Sequence, residues 1–166
     1  MNIIIIPKVY CKFKKQIEYS LEKKLIIFLK RIFPNANIEV AITKNLLKKI
    51  NLIIFSGGNN ITLFSKKKED LLRNKIDNFF FKYALNKKIP IFGICHGAQF
   101  LAKKFGCKFN KSKHHVQNHY IEIIDNKSEK RKQLVNSYHN IIIIKKSKKV
   151  DIFAIANFII TFFTNN

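Results

Sequence analysis

The sequence predicts an α/β fold in which helices cover a mainly parallel sheet, and three observations support this prediction. Short, uniformly apolar runs alternate along the chain with segments of helical periodicity, which is typical of parallel strands buried on both faces. Two of the apolar runs end in glycine-containing turns. The length of 166 residues suits one domain with a substantial core. We therefore expect a three-layer α/β/α sandwich.

The first half of the chain predicts strands and helices in alternation. An apolar run that ends at a proline predicts the first strand, and the next segment carries apolar residues at helical spacing. A second strand, a short helical turn and a third strand follow. In chain order these elements are Asn2–Ile6, Lys15–Phe33, Asn37–Thr43, Asn45–Ile50 and Leu52–Phe55.

The second half continues this alternation and then becomes rich in strands. A helix over Glu69–Leu85 has two acidic residues in its first turn, where the helix dipole favours anions. The strand Pro90–Ile94 leads directly into a helix over Gly97–Phe105. Four further strands are predicted at Tyr120–Ile124, Leu134–Ser137, Ile141–Ile144 and Asp151–Ala156.

The net charge of +22 raises the question of a nucleic-acid partner. The lysines are scattered through nearly every segment, in a chain that is also rich in Ile, Asn and Phe, as an AT-rich coding sequence would produce. No zinc-ligand spacing, RNA-binding aromatic motif or compact basic helix accompanies them. We therefore interpret the charge as a solvated lysine surface and expect no nucleic-acid partner.

Neither a membrane segment nor a disulfide framework is predicted. The longest apolar stretch, Ile152–Phe163, has about 12 residues, whereas a spanning helix needs about 20. The N-terminal segment lacks the features of a signal peptide. Three cysteines form no Cys-x-x-Cys pair, so Cys11 and Cys107 are expected in the core. We expect a cytoplasmic protein with no membrane partner.

The junction of the strand Pro90–Ile94 with the following helix predicts a nucleophilic cysteine. Cys95 is flanked by Gly93 and Gly97, at the two positions that must be small for a strained strand-to-helix elbow to close. Such an elbow exposes the side chain at the rim of the sheet. We expect the helix N-terminus to lower the pKa of the thiol. We also expect the backbone N–H of His96 to face an oxyanion formed at Cys95.

A second turn predicts the other half of an oxyanion hole. Ser56-Gly57-Gly58-Asn59 follows the strand Leu52–Phe55. A glycine pair lets a backbone N–H approach a substrate carbonyl without shielding by a Cβ. In an open α/β sheet, ligands bind beyond the carboxyl ends of the strands, where both turns lie.

These features resemble the class-I glutamine amidotransferases, and within them the γ-glutamyl hydrolase branch (peptidase family C26). The Gly-Ile-Cys-x-Gly-x-Gln segment from Gly93 to Gln99 and the Ser56–Asn59 turn carry the resemblance. His114–His119 corresponds to the branch's His-x-Val stretch, and Val135–Asn140 matches its Val-Asn-Ser-x-His motif. The resemblance covers Leu52 to Ala156 and implies a flavodoxin-like α/β/α sandwich.

The resemblance also implies an activity and a set of site residues. In this family a Cys thiolate attacks the γ-carbonyl of a γ-glutamyl amide, and water hydrolyses the thioester. A small-molecule γ-glutamyl substrate, a synthetase partner and no cofactor are implied. The implied nucleophile is Cys95, the oxyanion-hole amides are those of Gly58 and His96, and the substrate-binding residues are Gln99, Asn136, Ser137 and His139.

The C-terminal part departs from the family pattern. The family's general base is the His of a His-Pro-Glu motif near the end, but here no His follows His139 and no Glu follows Glu129. We interpret residues 1–156 as a truncated amidotransferase-like domain that lacks the last strand and helix of the fold. Residues 157–166, which carry no charged side chain, are interpreted as an aberrant tail after a frameshift or premature stop.

Several alternatives stay open. His139 is a substitute base, a pocket residue or a structural residue, and its motif position favours the pocket. No carboxylate motif accompanies His114, His115 and His119, so we expect no metal site. A Cys followed by a His on the elbow is also common in the related peptidase/glyoxalase branch of the same fold. A catalytically dead, truncated pseudoenzyme is the remaining interpretation.

Overall fold

A computed structural model describes residues 1–13, 16–42, 49–112, 116–124, 130–138, 140–148, 151–156 and 159–162. The chain forms two compact units, Met1–Phe100 and Leu101–Asn166. The elements of the first unit are β1 (Asn2–Ile6), β2 (Lys8–Phe13), β3 (Gln16–Ser20), α1 (Lys23–Ile32), β4 (Asn37–Val40), β5 (Leu52–Phe55), α2 (Lys68–Lys87), β6 (Ile91–Gly93) and the start of α3 (His96–Lys104).

Four strands of the first unit form a parallel sheet with the order β4-β1-β5-β6. Without β2 and β3 this is the 2-1-3-4 order of a flavodoxin-like sheet, so the predicted fold class is confirmed. The strand order reverses between β1 and β5. The carboxyl ends of β1, β5 and β6 therefore meet at one edge, beside the point where ligands bind in such sheets.

Helices cover both faces of this sheet because successive side chains of a strand point to opposite sides. On one face Ile3, Ile5 and Ile54 pack with Leu29 of α1. On the other face the ring of Phe55 stacks on Phe100, with 5.5 Å between centroids. Phe100 in turn meets Phe81 of α2 edge to face at 6.0 Å. The two layers of helices complete the predicted sandwich in this unit.

The helix predicted over Lys15–Phe33 is wrong in its first part. The segment is a β2–β3 hairpin that pairs Val9 with Tyr19 and Cys11 with Ile17, and the helix begins only at Lys23. The apolar residues Ile17, Tyr19 and Leu21 recur every second residue, which is the period of a strand. A period-two pattern over Ile17–Leu21 therefore runs directly into the helical pattern of α1.

The other predicted elements of the first unit match the structure within a few residues. The predicted helices over Glu69–Leu85 and Gly97–Phe105 correspond to α2 and α3, and α2 ends with Lys88 in the left-handed conformation at φ 52°. Thr43 and most of the helical turn predicted over Asn45–Ile50 lie outside the described residues.

The second unit contains antiparallel pairs of strands. β7 (Lys108–Lys111) pairs with β10 (Ile141–Lys145), and Ala102, Cys107 and Ile143 form a buried cluster there. The other sheet has the order β12-β11-β8-β9, from β8 (Val116–Ile124), β9 (Lys130–Tyr138), β11 (Asp151–Ala156) and β12 (Ile159–Phe162). All four predicted strands are present, whereas β7 and β12 were not predicted. β12 falls within residues 157–166 and pairs with β11.

Within the described ranges, none of the helices is both long and apolar enough to cross a membrane.

Candidate active site

Cys95 lies on a strained elbow between β6 and α3. Its φ of 51° is in the left-handed region, which non-glycine residues rarely occupy. A Cβ on Gly93 would lie 2.6 Å from the backbone N of Ala98, and one on Gly97 would lie 1.9 Å from the carbonyl O of Phe55. Only glycine fits at these two positions, as the sequence predicts.

The Ser56–Asn59 turn faces this cysteine. A Cβ on Gly57 would lie 3.2 Å from the Cβ of Cys95 and 3.9 Å from its sulfur. Gly58 has a φ of 107°, and the aliphatic part of Lys8 occupies the space where its side chain would stand. The backbone N–H groups of His96 and Gly58 both donate hydrogen bonds to the Cys95 sulfur. The two amides predicted for an oxyanion hole thus meet at one atom.

The expected effect on the thiol is reversed. Desolvation raises the pKa of the Cys95 thiol, and the amide hydrogen bonds from His96 and Gly58, which lower it, do not offset that increase. Cys95 is nevertheless an exposed residue that a reagent can reach. The prediction of a thiol activated by the helix N-terminus is therefore wrong for the resting protein, in which the thiol is protonated at neutral pH.

The ring of His96 does not serve the thiol as a base. It is 1% exposed, and its Nε2 lies 2.8 Å from Oδ2 of Asp77. Its Nδ1 is buried and has no hydrogen-bond partner, so neither ring nitrogen bonds to the Cys95 sulfur. His96 is also the only histidine in the sequence of the first unit. Its backbone amide, and not its imidazole, is the group that faces the Cys95 sulfur.

The predicted substrate-binding residues are divided between the two units. Gln99 is buried in the first turn of α3, and its backbone N–H donates to the carbonyl of Cys95 at 3.0 Å. Asn136 is exposed on β9, opposite Asn118. The Ser137 side chain and the whole of His139 lie outside the described part of the chain. Their substrate-binding roles stay predictions.

The three histidines weighed as metal ligands lie largely outside the described part of the chain. His114 and His115 lie outside the described residues, and so does the side chain of His119. Among the described residues, no cluster of three or more His, Cys, Asp or Glu side chains is arranged to hold a metal ion.

A buried ionic network on α2, which was not predicted, lies behind the site. Arg73 and Asp77 are both fully buried and joined by a 2.8 Å bond between Nε and Oδ1. Arg73 also donates to the carbonyl of Pro7 at 2.8 Å and to that of Ser56 at 2.9 Å. These two carbonyls lie at the carboxyl ends of β1 and β5. The network therefore connects α2 with the segments that follow β1 and β5.

A signal for this network does exist in the sequence. The buried face of α2 contains Arg73, Asp77, Phe80, Phe81 and Ala84, which have the spacing of one helical stripe. Asp70 lies on the same stripe, and three charged residues on an otherwise apolar stripe are unusual, because buried charges need partners. That departure from the apolar pattern could have identified them, but not their partners.

A second anchor from α2 holds the far end of the glycine turn. Asn59 accepts from the N–H of Val9 at 2.9 Å and donates to Asp70 at 3.2 Å. Asp70 also accepts the N–H of Asn60 at 2.9 Å and the hydroxyl of Ser65. Burial acts to raise the pKa of Asp70, but these hydrogen bonds outweigh it and hold the pKa below its usual value. The carboxylate is thus ionised at neutral pH.

The site thus combines a flavodoxin-like sheet, a cysteine on a glycine-flanked elbow and two backbone amides that converge on its sulfur. The chain belongs to the class-I glutamine amidotransferase family, whose profile matches residues 9–164. It is 33% identical over 100 residues to the γ-glutamyl-CDP-amidate hydrolase of Campylobacter jejuni, a match that covers 58% of this chain and 46% of that protein. The matched region thus spans less than half of the curated relative.

Solved structures of low sequence identity have the same fold. A candidate GMP synthase component from Thermoplasma acidophilum has a TM-score of 0.66 and 20% identity, with 93% of this chain and 72% of that chain covered. A glutamine amidotransferase from Thermotoga maritima has a TM-score of 0.63 and 14% identity, with 92% and 66% covered.

Proposed function

We propose that this protein hydrolyses a γ-glutamyl amide through a thioester at Cys95. The observation that supports this most directly is the convergence of the Gly58 and His96 N–H groups on the sulfur of a cysteine in a strained elbow. An acyl-transfer site needs a nucleophile and, next to it, donors for the oxyanion that forms on the attacked carbonyl. Membership of the amidotransferase family supports the same reaction class.

The reaction follows from this geometry. The Cys95 thiolate attacks the γ-carbonyl carbon, a C–S bond forms, and the carbonyl oxygen becomes an oxyanion held by the amides of Gly58 and His96. Collapse of this intermediate breaks the C–N bond, and the amine leaves with a proton. Water then hydrolyses the thioester and releases glutamate.

Proton removal from the thiol is the demanding step. Because burial raises the pKa of Cys95, little thiolate is present at neutral pH without a base. The first unit has no histidine besides His96, whose ring does not bond to the sulfur. Without a base, a factor of about 10²–10⁴ in rate is lost. We therefore propose that the residues of the first unit by themselves acylate slowly.

A specific substrate and partner complete the proposal. The substrate is γ-glutamyl-CDP-amidate or a similar anionic γ-glutamyl amide of surface-polysaccharide synthesis, in keeping with the similar hydrolase of Campylobacter jejuni and the strong positive charge. The proposed substrate-binding residues are Gln99, Asn136, Ser137 and His139. A synthetase is the proposed partner, by analogy with the candidate synthase component of the same fold, and the site of action is the cytoplasm.

Covalent labelling tests the nucleophile. A γ-glutamyl electrophile such as 6-diazo-5-oxo-norleucine should add one mass increment to the intact protein, located at Cys95 by peptide mapping. Cys95→Ser should stay unlabelled, whereas a control with Cys11→Ser and Cys107→Ser should label like the parent. A folded parent protein that gains no adduct at Cys95 would overturn the proposal.

Turnover assays then test the substrate. We expect glutamate release from γ-glutamyl-CDP-amidate to exceed that from glutamine at equal concentration, and to vanish in Cys95→Ser. Methylglyoxal consumption that depends on Cys95 would instead support the peptidase/glyoxalase branch. Labelling without any turnover, in folded protein, would support the pseudoenzyme interpretation.

A further inference from the structure

Arg73 and Asp77 bond to Ser56 and to His96, the residues that begin the glycine turn and follow Cys95. Both side chains are fully buried, one helical turn apart on α2. Their hydrogen bonds to other segments lead to different parts of the site: to Pro7 after β1, to Ser56 after β5, and to His96 after β6. The pair therefore joins the carboxyl ends of three parallel strands.

A buried ion pair of this kind is a poor source of stability. Removing two charges from water is costly, and well-packed apolar residues in the same place are often equally stabilising. Phe80, Phe81 and Ala84, further along the same face of α2, show that apolar residues suit this helix. The position of the charges, beside the strand ends, therefore calls for another explanation.

The partners of the pair supply that explanation. The Ser56 carbonyl, which accepts a hydrogen bond from Arg73, is part of the peptide bond to Gly57, and the Gly58 amide belongs to the next peptide bond. The His96 ring, which bonds to Asp77, is attached to the residue whose own N–H faces the sulfur. Each of the two amides on Cys95 is thus tied, through its own segment, to one member of the same rigid pair.

We propose that Arg73 and Asp77 are positioning residues that set the reactivity of Cys95. They hold the Gly58 and His96 amides at the spacing needed to stabilise negative charge, first on the thiolate and then on the oxyanion. This inference rests on the proposed role of Cys95 as nucleophile, but not on the identity of its substrate. It assigns to α2 a function in catalysis besides packing.

The test measures the reactivity of the thiol and needs no substrate. In a Cys11→Ser, Cys107→Ser background, the rate of Cys95 alkylation by iodoacetamide is followed from pH 6 to pH 10. With Asp77→Leu, the amides are no longer held, thiolate stabilisation falls, and the apparent pKa should rise by about one unit. That shift corresponds to an alkylation rate about tenfold lower at pH 7.

Two further variants separate positioning from packing. Asp77→Asn keeps the shape and can still bond to both Arg73 and His96, so its profile should shift less than that of Asp77→Leu. Ala84→Gly weakens the same helix, because glycine is a poorer helix former than alanine, but Ala84 is not part of the network, so its profile should match the parent. Circular dichroism and thermal melts establish that each variant is folded. If Asp77→Leu does not fold, the alkylation profiles of Asp77→Asn and Arg73→Lys are compared with that of the parent instead.

The outcomes distinguish this inference from the proposed function. A shifted profile in the Asp77 variants, with no γ-glutamyl turnover by the parent, would support positioning and reject the hydrolase. Turnover by the parent, with profiles of the folded Asp77 and Arg73 variants identical to the parent, would overturn the positioning role and keep the hydrolase. An equal shift in Ala84→Gly would also overturn it, because loosening of the helix would then suffice.

Discussion

α1 and α2 cover opposite faces of the same parallel sheet, but they bury different kinds of side chain. α1 presents Leu25, Ile26 and Leu29 to the sheet and turns its lysines to the solvent. α2 buries Asp70, Arg73 and Asp77 in its first half and aromatic residues in its second half. The polar half contacts the carboxyl ends of the strands, where loops must be held, and the apolar half packs on the strands. One helix serves the core, and the other serves both the core and the site.

The largest effect that this contrast predicts is on α2. Asp77→Ala leaves the Arg73 guanidinium buried without its carboxylate, which costs about 3–5 kcal/mol. We expect the free energy of unfolding, measured in urea, to fall by that amount. The double change Arg73→Met with Asp77→Leu should recover most of the loss, since it removes both charges. A single Asp77→Ala variant as stable as the parent would contradict the network.

A core substitution on α1 should lower the free energy of unfolding almost as much, but it should leave the reactivity of Cys95 unchanged. Leu29 is 4% exposed and packs with Ile3, Ile5 and Ile54, so Leu29→Ala is expected to cost about 2–4 kcal/mol. The alkylation profile of Cys95 should not change, because α1 contacts the other face of the sheet. The kinetics of iodoacetamide alkylation of the folded variant check this. A shift of the pH profile as large as that of Asp77→Leu would contradict the inference that α2, and not α1, sets the reactivity of Cys95.

The smallest effect concerns Asp70 and depends on pH. Its folded pKa lies below the unfolded value of about 3.9, so its ionised form stabilises the fold above that value, and this contribution disappears as the pH falls through the folded pKa. Asp70→Asn should therefore cost about 1–2 kcal/mol at pH 7 and progressively less below pH 4. Urea denaturation of both proteins at several pH values measures the difference. A difference in unfolding free energy between the two proteins that widens on acidification would contradict the lowered pKa of Asp70.

The sequence was most informative where steric demands are local. Gly93 and Gly97 flank Cys95 at positions where any Cβ would collide, so the elbow could be recognised from three residues. The β2–β3 hairpin was missed because its period-two pattern continues into the helical pattern of α1. The sign of the Cys95 pKa shift was also missed, since the sequence contains no measure of how far neighbouring atoms exclude water from the sulfur.

The sequence by itself determined most of the strand-helix alternation, the elbow at Cys95 and the Ser56–Asn59 turn, because these depend on neighbours within a few positions along the chain. Only the tertiary structure decided that the amides of Gly58 and His96 share one sulfur, and that Arg73 reaches Pro7, 66 positions away. Those contacts depend on which strand lies beside which and on where α2 crosses the sheet. Side-chain types alone do not specify such partners, because a buried arginine can be satisfied by any carbonyl or carboxylate that the fold brings within reach.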